Sequence, residues 1–301
     1  MITNFYELFE ALRERSKKRM VAAWGVDDHT ITAAARAIEK GIVDVTLVGD
    51  KDMILEVCKN ENIDPAIFSI VDNKNELQAI AQAVGMVKDG EGDILMKGLC
   101  STDKYMRGIL NKERGLLPPK AVLSHITVIR NPNYHKFLIF SDAAVIPAPD
   151  FKQKQAICKY LIGTAKALGI AKPKVAAIAA TEQMLDGMPA CVEAAMLAKM
   201  SDSGQIAGGV VDGPLALDVA VDAEAVAIKK VKSEVAGDAD CLLFPNIESA
   251  NVFYKVNSKL CKGVRQAAIM AGGMAPCVLS SRADSIDTKL NSIALAALTA
   301  K

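Results

Sequence analysis

Short apolar runs alternate with longer amphipathic stretches along almost the whole chain of 301 residues. Most of these runs are continuously apolar, which is typical of strands that are covered on both faces of a parallel sheet. We predict nine strands, at residues 20–24, 43–48, 93–96, 122–129, 137–140, 175–179, 208–211, 241–244 and 277–279.

The stretches between the runs are rich in alanine and have helical periodicity. Helix-start signals support several of them, with Asp150 and Asn246 as N-cap residues and Pro189 in a first helical turn. We predict helices at residues 30–40, 51–60, 75–88, 151–168, 189–199, 215–230, 247–260 and 285–298. The repeated order of strand, helix and strand predicts an α/β fold with mostly parallel sheets and right-handed crossovers.

The charge balance limits the partners that the chain can bind. It has 36 Lys and Arg residues against 35 Asp and Glu residues, for a net charge of +1. This balance argues against nucleic acid and against an anionic membrane surface as partners. An anionic substrate must therefore be held by a local cluster of basic groups.

The cysteines and the N-terminal residues indicate the compartment. The seven cysteines are odd in number and include no C-x-x-C pair, which disfavours both a disulfide framework and a zinc site. Residues 1–19 carry many charges and no apolar core of a signal peptide, and no apolar run approaches the ~18 residues of a membrane span. We expect a cytoplasmic protein with free thiols.

The common cofactor and catalytic motifs are missing from the sequence. Gly90 and Gly92 begin a G-x-G pattern, but Leu95 stands where a dinucleotide fingerprint needs its third glycine. There is no Walker A sequence, no G-x-S-x-G and no H-E-x-x-H. The three histidines have no metal-pair spacing, and His125 lies in an apolar strand, where we expect a hydrogen-bonded core histidine.

Polar turns follow several predicted strands, at the edge where α/β proteins usually place their chemistry. After residues 93–96 come Lys97 and Gly98, then Ser101 and Thr102 at the start of a helix, with Arg107 further along it. Backbone N–H groups and hydroxyls in such a turn can hold an anion. An ordinary N-cap with surface cations explains the same residues equally well.

Two further turns have both a structural and a functional interpretation. Asp142 follows a strand and, with Asp150, is either part of a capped turn or a group that orients a catalytic cation. Gly213 and Pro214 form either a tight turn before a helix or a place where a ligand approaches the backbone closely.

The last two turns have the most varied polar side chains. Glu248, Asn251 and Lys255 fall on one face of the helix that Asn246 caps, a face that either lines a cleft or is solvated. The final turn contains Ser281, Arg282, Asp284 and Asp287. Ser281 as N-cap explains one hydroxyl, but the helix dipole disfavours an arginine in a first turn, so Arg282 points to a bound anion.

These turns, taken together, resemble the phosphate acetyltransferase/phosphate butyryltransferase family. The resemblance runs from about residue 41 to the C-terminus and is closer to the butyryl branch. It is carried by MKGL, LNKE and GL within residues 96–116, EAAMLAKMSD at 193–202, VVDGPLALD at 210–218, PNIESANVFYK at 245–255 and SSRADSIDTKLNSIALAAL at 280–298.

The resemblance implies a fold and a reaction. The fold would be similar to that of isocitrate and isopropylmalate dehydrogenases, with two three-layer α/β domains, here residues 1–135 with 276–301 and residues 136–275, and an active-site cleft between them. The reaction would be the reversible conversion of a short acyl-CoA and phosphate into acyl phosphate and CoA. The resemblance also implies a homodimer or larger homo-oligomer, with no metal and no tightly bound cofactor.

Residue roles carry over where the motifs match. Arg282 would bind the phosphoryl group, Ser281 would steady the thioester or the tetrahedral intermediate, and Arg107 would contact phosphate or CoA. The acetyl branch has an aspartate seven residues after the serine as the base for the CoA thiol, but this chain has Thr288 there. Asp287 is our choice for the base, with Asp284 as the other candidate. The remaining substrate contacts are expected from the polar turns, at Lys97, Gly98, Ser101, Thr102, Asp142, Gly213, Pro214, Asn246, Glu248, Asn251 and Lys255.

We expect direct transfer in a ternary complex, because no Cys or Ser has a recognisable base beside it. Cys100 could be acidified in its glycine turn, although a small buried residue is the simpler interpretation. Alternatives remain open: a phosphate acetyltransferase, a 2-hydroxy-acid dehydrogenase on the same implied fold, or a non-catalytic protein that binds CoA or acyl phosphate, which Thr288 would permit. The acyl pocket is expected near residues 116–119 and on helix faces of the second domain.

Overall fold

The computed structural model of the chain describes residues 1–279 and 284–301 and divides into two compact units. We name them by their place in the sequence. The central unit comprises Met1–Asn4 and Ser124–Gln266, and the flanking unit comprises Phe5–Leu123 and Ala267–Lys301.

The flanking unit contains a mostly parallel sheet with the strand order β3-β2-β1-β4-β11-β10. The strands β1 to β4, together with β11, run parallel, whereas β10 pairs antiparallel with β11. They are β1 (Lys18–Ala23), β2 (Val43–Gly49), β3 (Ser69–Asp72), β4 (Ile94–Lys97), β10 (Arg265–Ala271) and β11 (Cys277–Val278). The helices are α1 (Phe5–Arg13), α2 (Asp28–Glu39), α3 (Lys51–Asn60), α4 (Glu76–Lys88), α5 (Thr102–Ile109) and α11 (Ile286–Thr299), with a 3₁₀ turn at Pro65–Ile67.

The central unit contains strands in the order β5-β6-β9-β7-β8. The pair β5 and β6 is antiparallel, and the other pairs are parallel. The strands are β5 (Ser124–Arg130), β6 (Leu138–Ser141), β7 (Lys174–Ile178), β8 (Val210–Leu215) and β9 (Cys241–Leu243). The helices are α6 (Phe151–Ala167), α7 (Pro189–Asp202), α8 (Leu217–Val221), α9 (Ala223–Lys229) and α10 (Ile247–Lys255), which continues as a π-helix over Val256–Leu260.

Each unit has an apolar core that its sheet and helices share. In the flanking unit, α11 is buried from Lys289 to Leu298 and packs against α2. In the central unit, the rings of Phe140, Phe244 and Phe253 form a cluster with centroid separations of 5.0–6.0 Å. Aromatic rings at these separations add edge-to-face attraction to the burial of their surface.

The predicted α/β fold with a mostly parallel sheet is confirmed, and all nine predicted strands are present with boundaries that differ by a few residues. The predicted caps are also confirmed: Asp150 forms a capping box with Gln153, and Asn246 accepts the backbone N–H of Ser249. The strands β3 and β10 were not predicted. β3 is a short strand at the edge of the sheet, and β10 is rich in alanine, so neither has a strong apolar run.

The helix predicted at 215–230 is wrong, and so is the turn predicted at Gly213 and Pro214. Strand β8 continues through both residues to Leu215, with a register shift against β7. Asp222 then ends α8 and caps α9, so two short helices replace the long one. The glycine is required because a Cβ at position 213 would lie 2.6 Å from the carbonyl oxygen of Ala177.

Apart from the short segment Met1–Asn4, which belongs to the central unit, the boundaries between the units fall at 123/124 and 266/267, whereas the sequence suggested 135/136 and 275/276. Strand pairing accounts for both differences. β5 pairs antiparallel with β6, which places residues 124–135 in the central unit. Met270 of β10 pairs antiparallel with Cys277 of β11, and residues 267–271 belong to the flanking unit.

Candidate functional site

The carboxyl ends of three neighbouring strands meet at one edge of the flanking sheet. Ala23 at the end of β1 pairs with Lys97 at the end of β4, and Met96 pairs with Val278 of β11. Three connections therefore begin at the same edge: residues 24–27 before α2, residues 98–101 before α5, and the connection that starts at Leu279 after β11. In parallel sheets this edge is the usual location of binding and catalysis.

Gly98 is required by the close approach of two of these connections. Its N–H donates to the Ala23 carbonyl at 3.0 Å, and a Cβ would lie 2.1 Å from the Trp24 carbonyl oxygen. Lys97, directly before it, is 3% exposed and donates to the Gly98 carbonyl at 3.3 Å. The structure therefore places a buried cation beside a glycine turn at this edge.

The start of α5 belongs to the same edge. Ser101 is the N-cap and accepts the N–H of Lys104 at 3.3 Å, and Thr102 is the first helical residue. The buried hydroxyl of Tyr105 lies 3.2 Å from the carbonyl oxygens of Leu95 and Val278, which fixes α5 to the ends of β4 and β11.

Arg107 lies in the last turn of α5 rather than at this edge. Its side chain is 79% exposed and pairs with Asp103 at 3.1 Å. Lys97, Gly98, Ser101 and Thr102 are thus brought together, whereas in this structure Arg107 makes an ion pair on the exposed surface of its helix.

Ser281 and Arg282 lie outside the described residues, in the connection between β11 and α11. The N-cap of α11 is Ser285, which accepts the N–H of Thr288 at 3.2 Å, so the cap suggested at Ser281 is wrong. Asp287 is in the first turn, where its side chain is 80% exposed and lies 3.3 Å from Arg36.

The sequence places Lys289 just after the final polar turn but gives it no role, and sequence reasoning missed Asp27 at this edge. Lys289 is buried in α11, which lowers its pKa, while the nearby charges of Asp27, Asp284 and Asp28 act to raise it. Asp27 caps α2 through one carboxylate oxygen, which accepts the N–H of Thr30 at 3.0 Å. Its Oδ2 is buried and, within the described residues, has no hydrogen-bond partner. A lysine in the otherwise apolar run of α11 was the available sequence signal for this group.

Cys100 has the properties of a structural residue. It is buried, and burial raises the pKa of its thiol although the charge of Lys97 acts in the opposite direction. A thiol with a raised pKa forms little of the thiolate that a nucleophile requires. The acidified thiol considered from the sequence therefore finds no support in the structure.

In the central unit, Asp142 follows β6 and organises its own loop. It is 2% exposed, and its carboxylate accepts the Ser124 hydroxyl at 3.0 Å. The same carboxylate accepts three consecutive backbone N–H groups, at residues 144–146, over 2.9–3.2 Å. With these four donors, Asp142 shapes the loop at the carboxyl edge of the central sheet.

The turn after β9 lies at the same edge, because Leu243 of β9 pairs with Ser141 of β6. Asn246 caps α10, and Asn251 donates from its side-chain amide to the Ala143 carbonyl at 2.9 Å. Glu248 and Lys255 are exposed on α10. Asp142, Asn246 and Asn251 are thus brought together, whereas Gly213 and Pro214 are part of strand β8.

The described residues lack the features of two other classes of protein. Among residues 1–279 and 284–301, no group of three or more His, Cys, Asp or Glu residues is arranged to hold a metal ion. No helix in the described part of the chain combines the length and the apolar character that crossing a membrane requires.

The flanking unit has an α/β fold that brings a buried lysine, a glycine turn and helix N-termini to one edge of its sheet. Comparison with known proteins identifies the family. The family described as "Phosphate acetyl/butaryl transferase" matches residues 4–80 and 75–297, so the chain belongs to this family, and the family predicted from the sequence motifs is confirmed.

Individual relatives agree with this assignment. The chain is 44% identical over 300 residues to the phosphate butyryltransferase of Clostridium beijerinckii, covering 100% of this chain and 99% of the relative. It is 38% identical over 294 residues to the phosphate acetyltransferase of Thermotoga maritima, covering 98% and 99%. The crystal structure of a branched-chain phosphotransacylase from Enterococcus faecalis V583 matches with a TM-score of 0.82 at 28% identity, covering 94% of this chain and 98% of that one. The chain is therefore an acyltransferase of the phosphotransacylase type, as the sequence predicted.

Proposed function

We propose that this enzyme transfers a butyryl group, or a chain of similar size, between CoA and inorganic phosphate. The observation that carries the proposal is the full-length identity of 44% to a phosphate butyryltransferase, against 38% to a phosphate acetyltransferase of equal coverage. The acetyl group is the alternative substrate.

The flanking sheet supplies the proposed phosphate and catalytic groups. Lys97 and the N-terminus of α5 offer positive charge to a bound phosphate. By family resemblance, Arg282 binds the phosphoryl group and Ser281 donates to the carbonyl oxygen of the thioester. Arg107 contacts the outer part of the substrate, since its exposed side chain is free to leave Asp103 for a phosphate.

We propose direct transfer in a ternary complex. A phosphate oxygen attacks the carbonyl carbon of the thioester, negative charge develops on the carbonyl oxygen, and fixed donors stabilise it. The carbon–sulfur bond then breaks, and CoA leaves as a thiol after taking up a proton. In reverse, the thiol gives its proton to a base, its sulfur attacks the acyl phosphate, and phosphate departs. The raised pKa of the buried Cys100 thiol supports a mechanism without an acyl-cysteine intermediate.

For the base we now favour Asp284 over Asp287. Asp284 directly follows the 280–283 connection and lies within electrostatic reach of Lys289. Asp287 is largely solvated and pairs with Arg36. A base acts within hydrogen-bond reach of the proton that it removes. This favours Asp284, which follows Arg282 by two residues in the sequence.

Release of CoA from straight and branched acyl-CoAs, with and without phosphate, tests the substrate. A phosphate-dependent rate that peaks at butyryl-CoA or a branched chain of similar length supports the proposal. A peak at acetyl-CoA would overturn the butyryl assignment and leave the family unchanged.

We propose that the enzyme works as a homo-oligomer in the cytoplasm. Its seven cysteines, all within the described residues, are free thiols, as in proteins of reducing compartments. Val252, Val256 and Leu260 form an exposed apolar stripe along α10 and its π-helical extension, which a second copy could cover. Light scattering during gel filtration should show a multiple of 32.0 kDa. A monomer would contradict this.

A further inference from the structure

An ion pair between a buried lysine and a partly buried glutamate joins two helices of the central unit. Lys154 lies at the start of α6, one turn after the Asp150 cap, and its ammonium pairs with the carboxylate of Glu193 near the start of α7. The lysine side chain is 8% exposed and the glutamate side chain 26%. Both helices follow strands of the parallel sheet, so their first turns lie at its carboxyl edge.

The pair adjoins the turn that follows β9. A cavity of about 10 Å³ is lined by both charged residues and by Ile178, Leu243, Phe244 and Pro245, at the ends of β7 and β9. This is about the volume that one water molecule needs. Pro245 directly precedes the Asn246 cap of α10, so the pair shares this cavity with the base of the turn that carries the proposed substrate contacts at residues 246–251.

Stability alone gives a poor reason for burying these charges here. Apart from the pair, the walls of the cavity are apolar, and a well-packed apolar pair often stabilises a protein as much as a buried ion pair does. An ion pair differs in being directional, because it holds two helices at one separation and one rotation. Acyl transfer needs that property, since a displacement of about 1 Å can slow a reaction by about 100-fold.

A second buried pair in the same unit provides a contrast. Lys136 bonds Asp240 at 2.6 Å, with side chains 9% and 4% exposed. These residues precede β6 and β9, at the amino edge of the sheet, and Asp240 also accepts the N–H of Lys174. This pair fastens the beginnings of strands, away from the edge where the substrates are expected.

We infer that Lys154 and Glu193 are positioning residues for acyl transfer. Their ion pair fixes the first turns of α6 and α7 against Phe244 and Pro245, and so sets the position of the 246–251 turn. The inference rests on the proposed role of that turn in substrate binding.

The test compares activity with stability in matched variants. K154M/E193L replaces the pair with apolar groups of similar size, K154R/E193D keeps a pair of similar total length, and K136M breaks the pair at the amino edge. Urea unfolding is measured for each, together with kcat/KM on the acyl-CoA that the wild type uses best. If the proposed acyl preference is wrong, wild type and variants are all assayed with a different acyl-CoA. The ratio of each variant's kcat/KM to that of the wild type still tests the inference.

We expect K154M/E193L to unfold at the urea concentration of the wild type while losing at least about tenfold in kcat/KM. K154R/E193D should recover most of that loss. K136M should unfold at lower urea but keep, in the absence of urea, a kcat/KM within about twofold of wild type, because the carboxyl edge is intact.

Wild-type kcat/KM in K154M/E193L would overturn the inference, as would an equal loss in K136M. If K154M/E193L fails to fold, E193D provides the test, because it keeps both charges and shortens the carboxylate side chain. A lowered kcat/KM in E193D that K154R/E193D restores supports positioning, and wild-type kinetics in E193D would refute it.

Discussion

Replacing Gly98 with alanine should damage both the stability and the activity of the enzyme. The added methyl group would lie 2.1 Å from the carbonyl oxygen and 2.6 Å from the carbonyl carbon of Trp24. These are backbone atoms of the neighbouring connection, so no side-chain rotation relieves the contact. Trp24 itself has a φ of 54°, which leaves its backbone little freedom to move away.

The size of the effect follows from the displacement. Restoring an ordinary separation above 3.0 Å requires the ends of β1 and β4 to move apart by about 1 Å. Forcing one extra carbon into a packed site costs about 1–3 kcal/mol, and we expect the upper part of this range because backbone must shift. A 1 Å displacement of the Lys97 turn should lower kcat by about 100-fold.

Urea unfolding gives the stability change, and phosphate-dependent CoA release gives kcat. The matched control is G163A, on the exposed face of α6, where an added Cβ meets nothing within 4 Å. Since alanine is a better helix former than glycine, G163A should stabilise the protein by about 0.5–1 kcal/mol and leave kcat unchanged. If G98A matched the wild type in both properties, the close approach at this edge would not matter and our account of the turn would be wrong.

Three further predictions concern individual side chains. C100A should keep kcat within about threefold of wild type, since no acyl-cysteine forms; a loss of about 1000-fold would contradict direct transfer. Burial acts to raise the pKa of Asp238, but Lys174 and Lys136 outweigh it and lower the pKa to about 2. The stabilisation by this carboxylate is therefore present above its ordinary pKa of 3.8 and is lost as the pH falls towards 2. Between these pH values, the free energy of unfolding of D238N should fall less steeply with decreasing pH than that of the wild type. The same slope in both proteins would contradict this. Y105F should lose about 1 kcal/mol in urea unfolding, because two strand carbonyls lose their hydroxyl partner, and wild-type stability would refute that role.

Local signals were enough for much of the fold. Strands such as β6 are continuous apolar runs bounded by polar residues, and the Asp150 and Asn246 caps form hydrogen bonds within their own helices. The sequence failed at Gly213 and Pro214, where a typical turn dipeptide lies within a strand. There the deciding contact is with Ala177, a residue of another strand, and sequence pattern carries no such information.

The candidate site was predictable to a similar extent. Lys97, Gly98 and Ser101 were found because they follow a strand directly, and the family motifs pointed to Ser281 and Arg282. The role of Asp142 depends on Ser124, which is distant in the sequence and becomes a neighbour only when β5 pairs with β6.

The Lys154–Glu193 pair was missed because lysines on helices are usually solvated. A sequence signal did exist. Lys154 precedes Ile157 and Leu161 by three and seven residues, so it lies on the buried face of α6.

The central claim is that the enzyme moves an acyl group directly from CoA to phosphate. The most direct test follows butyryl phosphate by phosphorus NMR while a thiol reagent follows CoA, with butyryl-CoA supplied in the presence and absence of phosphate. We predict one acyl phosphate for each CoA released and no release without phosphate. CoA release without phosphate, or without acyl phosphate as product, would contradict the account.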